Sequence, residues 1–273
     1  MTKTTTAPVN DVRLAYEITG TGVPLVMVHG SWIARRQWDP VVPQLAETFQ
    51  VLTYDRRGHS DSERSSGQGS IREHVADLTA LIERLEFTPA WVAGNSLGAS
   101  IALRMAGERP DLLQGITTHE PPLFSLVATD PAAGPIVEED MQTDAAVAER
   151  IASGDHAGAA EQFAEALAPG LWTEFPPEVR QTMIDNAPAF LDDWNDPDFY
   201  TLDLPQVRKF PHPVLLTQGD QSPPQFAPVI TKLAEALPSV EVHTINGTAH
   251  VPHMEHPEAY VEALTAFVHK HTI

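Results

Sequence analysis

The chain contains no cysteine among its 273 residues. That excludes disulfides, thiolate metal sites, iron–sulfur clusters and a cysteine nucleophile together. No apolar run reaches the ~18 residues needed to span a bilayer. The opening Met1-Thr2-Lys3-Thr4-Thr5-Thr6 has no apolar stretch behind its lysine, so no secretory signal is expected there and a cytoplasmic protein is. Basic residues are scarce: 17 Lys and Arg stand against 37 Asp and Glu, a net charge of −20. Such a chain repels nucleic-acid backbones and anionic membrane surfaces, so neither is an expected partner. What is present is ordinary for a packed protein, with 42% hydrophobic and 20% charged residues.

Short apolar runs alternate with amphipathic stretches, the pattern of an α/β sheet protein. Val12–Thr19, Pro24–Val28, Val51–Tyr54, Ala90–Ala93, Gln114–Thr118, Val214–Thr217 and Val240–Ile245 read as strands. Ser70-Ile71-Arg72-Glu73 is a capping box that opens a helix to about Leu85. Leu97–Glu108, Pro228–Leu237 and Pro257–Lys270 read as further helices. Residues 121–210 break the alternation, with helical patterns over Asp144–Leu167 and Pro177–Leu191 and no convincing strand. This insertion holds 17 acidic and 4 basic residues, a net of −13. Two readings of that charge stand: a solvated surface, or a cover over an entrance whose field repels anionic substrates.

Gly94-Asn95-Ser96-Leu97-Gly98 fits G-x-S-x-G between a strand and a helix, where a nucleophile elbow sits. A serine there needs a base. His250, in Gly247-Thr248-Ala249-His250 after the last strand, is the candidate. His250, His253 and His256 are evenly spaced and invite a metal reading, but Pro252 interrupts any helix that would align them. His253 and His256 then read as polar residues of the loop and the helix entry. Two carboxylates compete to orient His250: Glu120, before the insertion, and Asp220, after it. The N–H groups of Ser31, in Val28-His29-Gly30-Ser31-Trp32, and of Leu97 are the candidate oxyanion donors. Gly20-Thr21-Gly22 is followed by Leu25 and fails the dinucleotide fingerprint, so no cofactor is expected.

With these landmarks, together with Asp55-Arg56-Arg57-Gly58-His59-Ser60 and Pro257-Glu258, the whole chain resembles the α/β-hydrolase superfamily. The resemblance implies an eight-stranded, mostly parallel sheet with a helical cap inserted after strand six. It divides the chain into a core of residues 1–120 and 211–273 and a cap of residues 121–210. Most members carry the acid after strand seven in G-x-x-D. Here Ser222 holds that place, and Asp220 comes two residues early. Members that end strand six with the acid are similar to Gly115-Ile116-Thr117-Thr118-His119-Glu120, which favours Glu120. Dehalogenases and epoxide hydrolases of this fold use an aspartate where Ser96 stands. The resemblance thus implies a serine hydrolase of neutral, largely apolar carboxylic esters or lactones, working as a monomer or homodimer on a small molecule. Carbon–carbon hydrolysis, peptide cleavage, perhydrolysis and a binding-only role are the alternatives. His29, Gly30, Trp32, Trp172 and Trp194 are the expected substrate contacts.

Overall fold

A computed structural model describes residues 4–272. Met1, Thr2 and Lys3, half of the segment expected to carry no secretory signal, lie outside the described residues. The strands are β1 (Thr6–Val9), β2 (Val12–Thr19), β3 (Val23–Val28), β4 (Phe49–Tyr54), β5 (Ala90–Asn95), β6 (Leu113–His119), β7 (Val214–Gly219) and β8 (Val240–Ile245). They form one sheet in the order β1-β2-β4-β3-β5-β6-β7-β8. Antiparallel pairing joins β1 to β2 and β2 to β4; every later pairing is parallel. Strand β1 was not expected. It is four residues long and turns into β2 through Asn10-Asp11, with Asn10 at φ 46°. That two-residue hairpin turn is the sequence signal for it.

The helices are α1 (Val42–Leu45), α2 (Ile71–Arg84), α3 (Leu97–Glu108), α4 (Gly134–Ala152), α5 (His156–Leu167), α6 (Leu171–Glu174), α7 (Pro177–Asn195), α8 (Leu204–Val207), α9 (Phe226–Ala236), α10 (Pro252–Glu255) and α11 (Pro257–His271). None of the described helices is long and apolar enough to cross a membrane. Helix α2 starts as its pattern requires, with Ser70 Oγ accepting from the Glu73 N–H at 3.2 Å. Strand β3 is buried on both faces. Leu25 and Met27 pack with Trp38, Trp91 and Phe267 on one side. Val26 and Val28 pack with Leu78, Ile101 and Leu103 on the other. This two-sided burial is why β3 reads as an unbroken apolar run.

Helices α4 to α8 form the cap between β6 and β7. The single pattern expected over Asp144–Leu167 is two helices. Helix α4 begins ten residues earlier, and the chain turns at Gly154, φ 89°. Asp155 then caps α5, its carboxylate accepting from the Gly158 N–H at 3.0 Å. Helix α7 continues past Leu191 to Asn195, with Pro188 inside it.

Gly115 on β6 pairs with Trp91 on β5. A Cβ there would fall 2.2 Å from Cζ3 of the buried Trp91. Gly115→Ala must displace the indole or part the strands, a destabilisation of about 1–3 kcal/mol. Urea unfolding of the variant reads this directly, and an unchanged midpoint contradicts the packing described.

Candidate active site

Ser96 stands between β5 and α3 with φ 55° and ψ −122°, a left-handed backbone that a side chain adopts only under constraint. The constraint comes from close packing on both sides. A Cβ on Gly94 would lie 2.3 Å from Gly98 O, and one on Gly98 would lie 2.1 Å from Val28 O. Only glycine fits either place, which gives the G-x-S-x-G pattern a steric reason. Two hydrogen bonds tie this turn to its neighbours. The Ser96 N–H donates to His119 O at 2.9 Å, and Asn95 Nδ2 donates to His250 O at 3.0 Å.

Glu120 follows β6 with φ 46° and is fully buried. Its Oε1 accepts from the Gly219 N–H at 2.9 Å, and its Oε2 from His250 Nδ1 at 2.8 Å. An ionised carboxylate only accepts, so the His250 proton sits on Nδ1 and Nε2 is left with its lone pair. Burial alone would push the Glu120 carboxyl up. His119, whose Nε2 lies 3.4 Å away, and His250 overcome that and hold it well below the usual carboxylate range. The His250 ring is stacked on Phe226, centroids 4.4 Å apart and planes at 13°. Asp220 is elsewhere: it is exposed, and its Oδ1 accepts from the Gly247 N–H at 2.7 Å, steadying the turn that leads to His250.

Ser31, Ser96 and His250 line one cavity of about 490 Å³, part of it open to solvent. Leu97 is the first residue of α3. The expected substrate contacts are placed differently. His29 is buried, and its Nε2 accepts from the Arg56 N–H at 2.9 Å. Its protonated Nδ1 therefore donates to Gly30 O, at 2.8 Å. Gly30 meets Ser96 through backbone, a Cβ there lying 3.1 Å from the Ser96 Cβ. Trp32 is buried one layer behind the cavity, tilted against Phe163 and stacked on Phe190. Trp172 lies under Arg180, and Trp194 packs edge-on against Phe199 and Tyr200. None of these five lines the cavity. Its apolar wall is made of phenylalanines, including Phe124, Phe163, Phe199 and Phe226. The Trp32 ring fills the space behind Phe163 and Phe190.

The three spaced histidines do not converge. His253 is fully buried against Trp38, centroids 4.4 Å apart, with neither ring nitrogen hydrogen-bonded, and is not a polar loop residue. His256 is exposed ahead of α11. Among the described residues the only group of three potential metal ligands is His119, Glu120 and His250. Their closeness follows from the bond that orients His250.

The far wall of the cavity holds polar groups that the sequence patterning left out. Asp140 and Asp144 lie one turn apart on α4. Gln225 Nε2 donates to Asp140 Oδ1 at 2.8 Å, and Tyr200 Oη donates to Asp144 Oδ2. Burial raises Asp140 to about 6, against an opposing pull from His250. Burial, reinforced by Asp140, raises Asp144 to about 7, with the Tyr200 hydrogen bond opposing. Two acids at i and i+4 on a cap helix with apolar neighbours were the available signal.

Residues 25–263 match the alpha/beta hydrolase family model, and the chain belongs to that family. It is 35% identical over 111 residues to a soluble epoxide hydrolase of Corynebacterium sp. (strain C12), a match covering 40% of this chain. That stretch spans only 38% of the relative's own length. The solved bromoperoxidase of Bacillus anthracis superposes with a TM-score of 0.82 at 24% identity, covering 98% of this chain and 100% of that one. A thermophilic esterase from Thermogutta terrifontis gives 0.79 at 22% identity, covering 99% and 100%. At such identities the likeness is one of fold.

The raised Asp144 generates a stability slope. Between the unfolded aspartate's value near ~4 and about 7, the folded chain holds a proton that the unfolded chain releases. Stability from this group therefore falls as pH rises through that window. Asp144→Asn removes the slope. Melting temperatures at pH 5 and pH 8 should lie closer together in the variant than in wild type, and an unchanged gap refutes the assignment.

Proposed function

We propose that this chain is a serine hydrolase that cleaves carboxylic esters or lactones through an acyl-enzyme. The observation that carries the reading is the 2.8 Å bond between Glu120 and His250 Nδ1, beside a cavity shared with Ser96. It leaves Nε2 as the basic nitrogen. Ser96 Oγ attacks the substrate carbonyl while Nε2 takes its proton. Glu120 stabilises the imidazolium that results. The oxyanion is held by the N–H groups of Ser31 and Leu97. Collapse expels the alcohol, which leaves with the proton from Nε2. A water then repeats the attack on the acyl-enzyme, giving the acid and free Ser96.

The phenylalanine wall suits a largely apolar substrate, and Asp140 and Asp144 disfavour an anionic one. Epoxide opening, the activity in the name of the Corynebacterium relative, is the work of an aspartate nucleophile in the resembling enzymes. Here that place holds Ser96, and the only cap tyrosine, Tyr200, is bonded to Asp144.

Hydrolysis of p-nitrophenyl butyrate by variants tests the reading. Ser96→Ala should lose about 10⁵-fold or more in kcat. Glu120→Gln should lose about 10⁴-fold, since it disturbs the tautomer and the imidazolium together. Asp220→Asn should keep most activity. Full activity in Ser96→Ala refutes the mechanism. A collapse in Asp220→Asn with Glu120→Gln intact refutes the choice of acid.

A further inference from the structure

Helix α7 turns one face toward the segment that follows β3. Asn186, Phe190 and Asp193 share that face at spacings of four and three. Asn186 is almost fully buried. Its Nδ2 donates to Trp32 O at 3.1 Å and Ile33 O at 3.2 Å, and its Oδ1 accepts from the Ser60 N–H at 2.9 Å. Phe190 stacks on Trp32 at 4.7 Å. Trp32 itself is left-handed, φ 69°, so its backbone needs such support.

Asp193 reaches further. Its Oδ2 accepts from both Nη1 and Nη2 of Arg56 at 3.3 Å, and its Oδ1 lies 2.8 Å from His74 Nε2. Arg56 and Asp193 are each about 1% exposed. Burial opposes ionisation of Asp193, but Arg56 and His74 hold it well below the usual carboxylate range. The arginine uses the same Nη2 to donate to Gly30 O at 3.1 Å. Gly30 O therefore accepts twice, from Arg56 and from His29 Nδ1. The carbonyl of Gly30 and the N–H of Ser31 belong to one planar trans peptide and point in opposite directions. Holding the oxygen thus fixes the direction of the N–H. Ser31 lines the cavity beside Ser96.

We propose that Asp193, a cap residue, is a positioning residue for the reaction: through Arg56 it sets the Gly30–Ser31 peptide plane so that the Ser31 N–H faces the developing oxyanion. This rests on the hydrolase reading above. A buried ion pair is a weak source of net stability, so stability alone does not account for a pair so thoroughly enclosed. The chain of contacts runs from cap to arginine to carbonyl to donor, with no flexible side chain between Arg56 and the peptide it holds. A seated α7 is thereby part of what shapes the oxyanion site.

The test compares p-nitrophenyl butyrate with its thionoester, whose sulfur draws far less from an N–H donor than oxygen does. Wild type, Asp193→Asn and Arg56→Lys are assayed for kcat and KM on both, with melting temperatures. Arg64→Ala serves as the comparison, because it removes the outer cap–core ion pair to Asp192 and touches nothing near Gly30. Asp193→Asn should lower kcat on the oxygen ester by about tenfold to a hundredfold, with KM within about twofold. The thionoester should lose less, so the oxygen-to-sulfur ratio narrows. Arg64→Ala should leave that ratio at the wild-type value. If Asp193→Asn does not fold, Arg56→Lys carries the same readout, since lysine cannot span Asp193 and Gly30 O together. A ratio unchanged in the folded variants, whatever happens to melting temperature, overturns the inference and leaves the hydrolase reading standing. An equal narrowing in Arg64→Ala overturns it too, because general loosening of the cap then suffices. Wild-type protein inert toward both esters overturns the function and the inference with it.

Discussion

The contact between the first turn of α3 and the end of β3 sets everything around it. Gly98 lies so close to Val28 O that any side chain there is excluded. That proximity forces the backbone between Asn95 and Leu97 through a left-handed residue, and the residue is Ser96. Because β3, β5, β6 and β7 run parallel, their carboxyl ends open on the same edge of the sheet. The loops carrying Ser31, Ser96 and Glu120 are neighbours for that reason, although the residues are far apart in sequence. His250 arrives from beyond β8, and Asn95 Nδ2 secures its backbone to the same turn.

Carboxyl groups lining the cavity and behind His250 are displaced in opposite directions, and the contrast shows what decides ionisation inside a protein. Burial pushes all of them up. Glu120 has the two imidazoles of His119 and His250 beside it, and these reverse the effect. Asp144 has another carboxyl and a phenol, and they do not. Enclosure sets a starting penalty of the same sign, and the groups at hand determine whether it is overcome. The site thereby places a fixed negative charge behind His250, and on the cavity wall two carboxyls raised to about 6 and about 7 that still carry negative charge above those values.

Much of this was legible in the sequence where the physics is local. Apolar or alternating runs located all but one strand, most plainly β3, where burial on both faces leaves no room for polar residues. Ser70 and Glu73 marked the start of α2, because capping is settled within four residues. The misplaced acid at Asp220 and the alternative at Glu120 could be weighed from their strand ends. What spacing could not reveal was set by packing between helices distant in sequence. Which aromatic rings face the cavity depends on how α4, α5 and α7 meet, so Trp32 lies behind Phe163 and Phe190. His253 looked like a loop residue because nothing local shows that Trp38, more than two hundred positions earlier, covers it. The partnership of Arg56 with Asp193 is of the same kind.

That partnership bears on how such a cap could be exchanged in evolution or by design. The ends of β6 and β7 look like natural places to cut, since everything between them is helical. A cut there separates Asp193 from Arg56 and Asn186 from Trp32. A foreign cap lacking a carboxylate at the matching point would strand a guanidinium charge in the interior, next to the turn after β3. The boundary drawn by the chain's helices and strands is therefore not the boundary of an interchangeable module. An exchange that preserves these contacts has to carry Trp32, Ile33 and Arg56 together with the helices of residues 121–210.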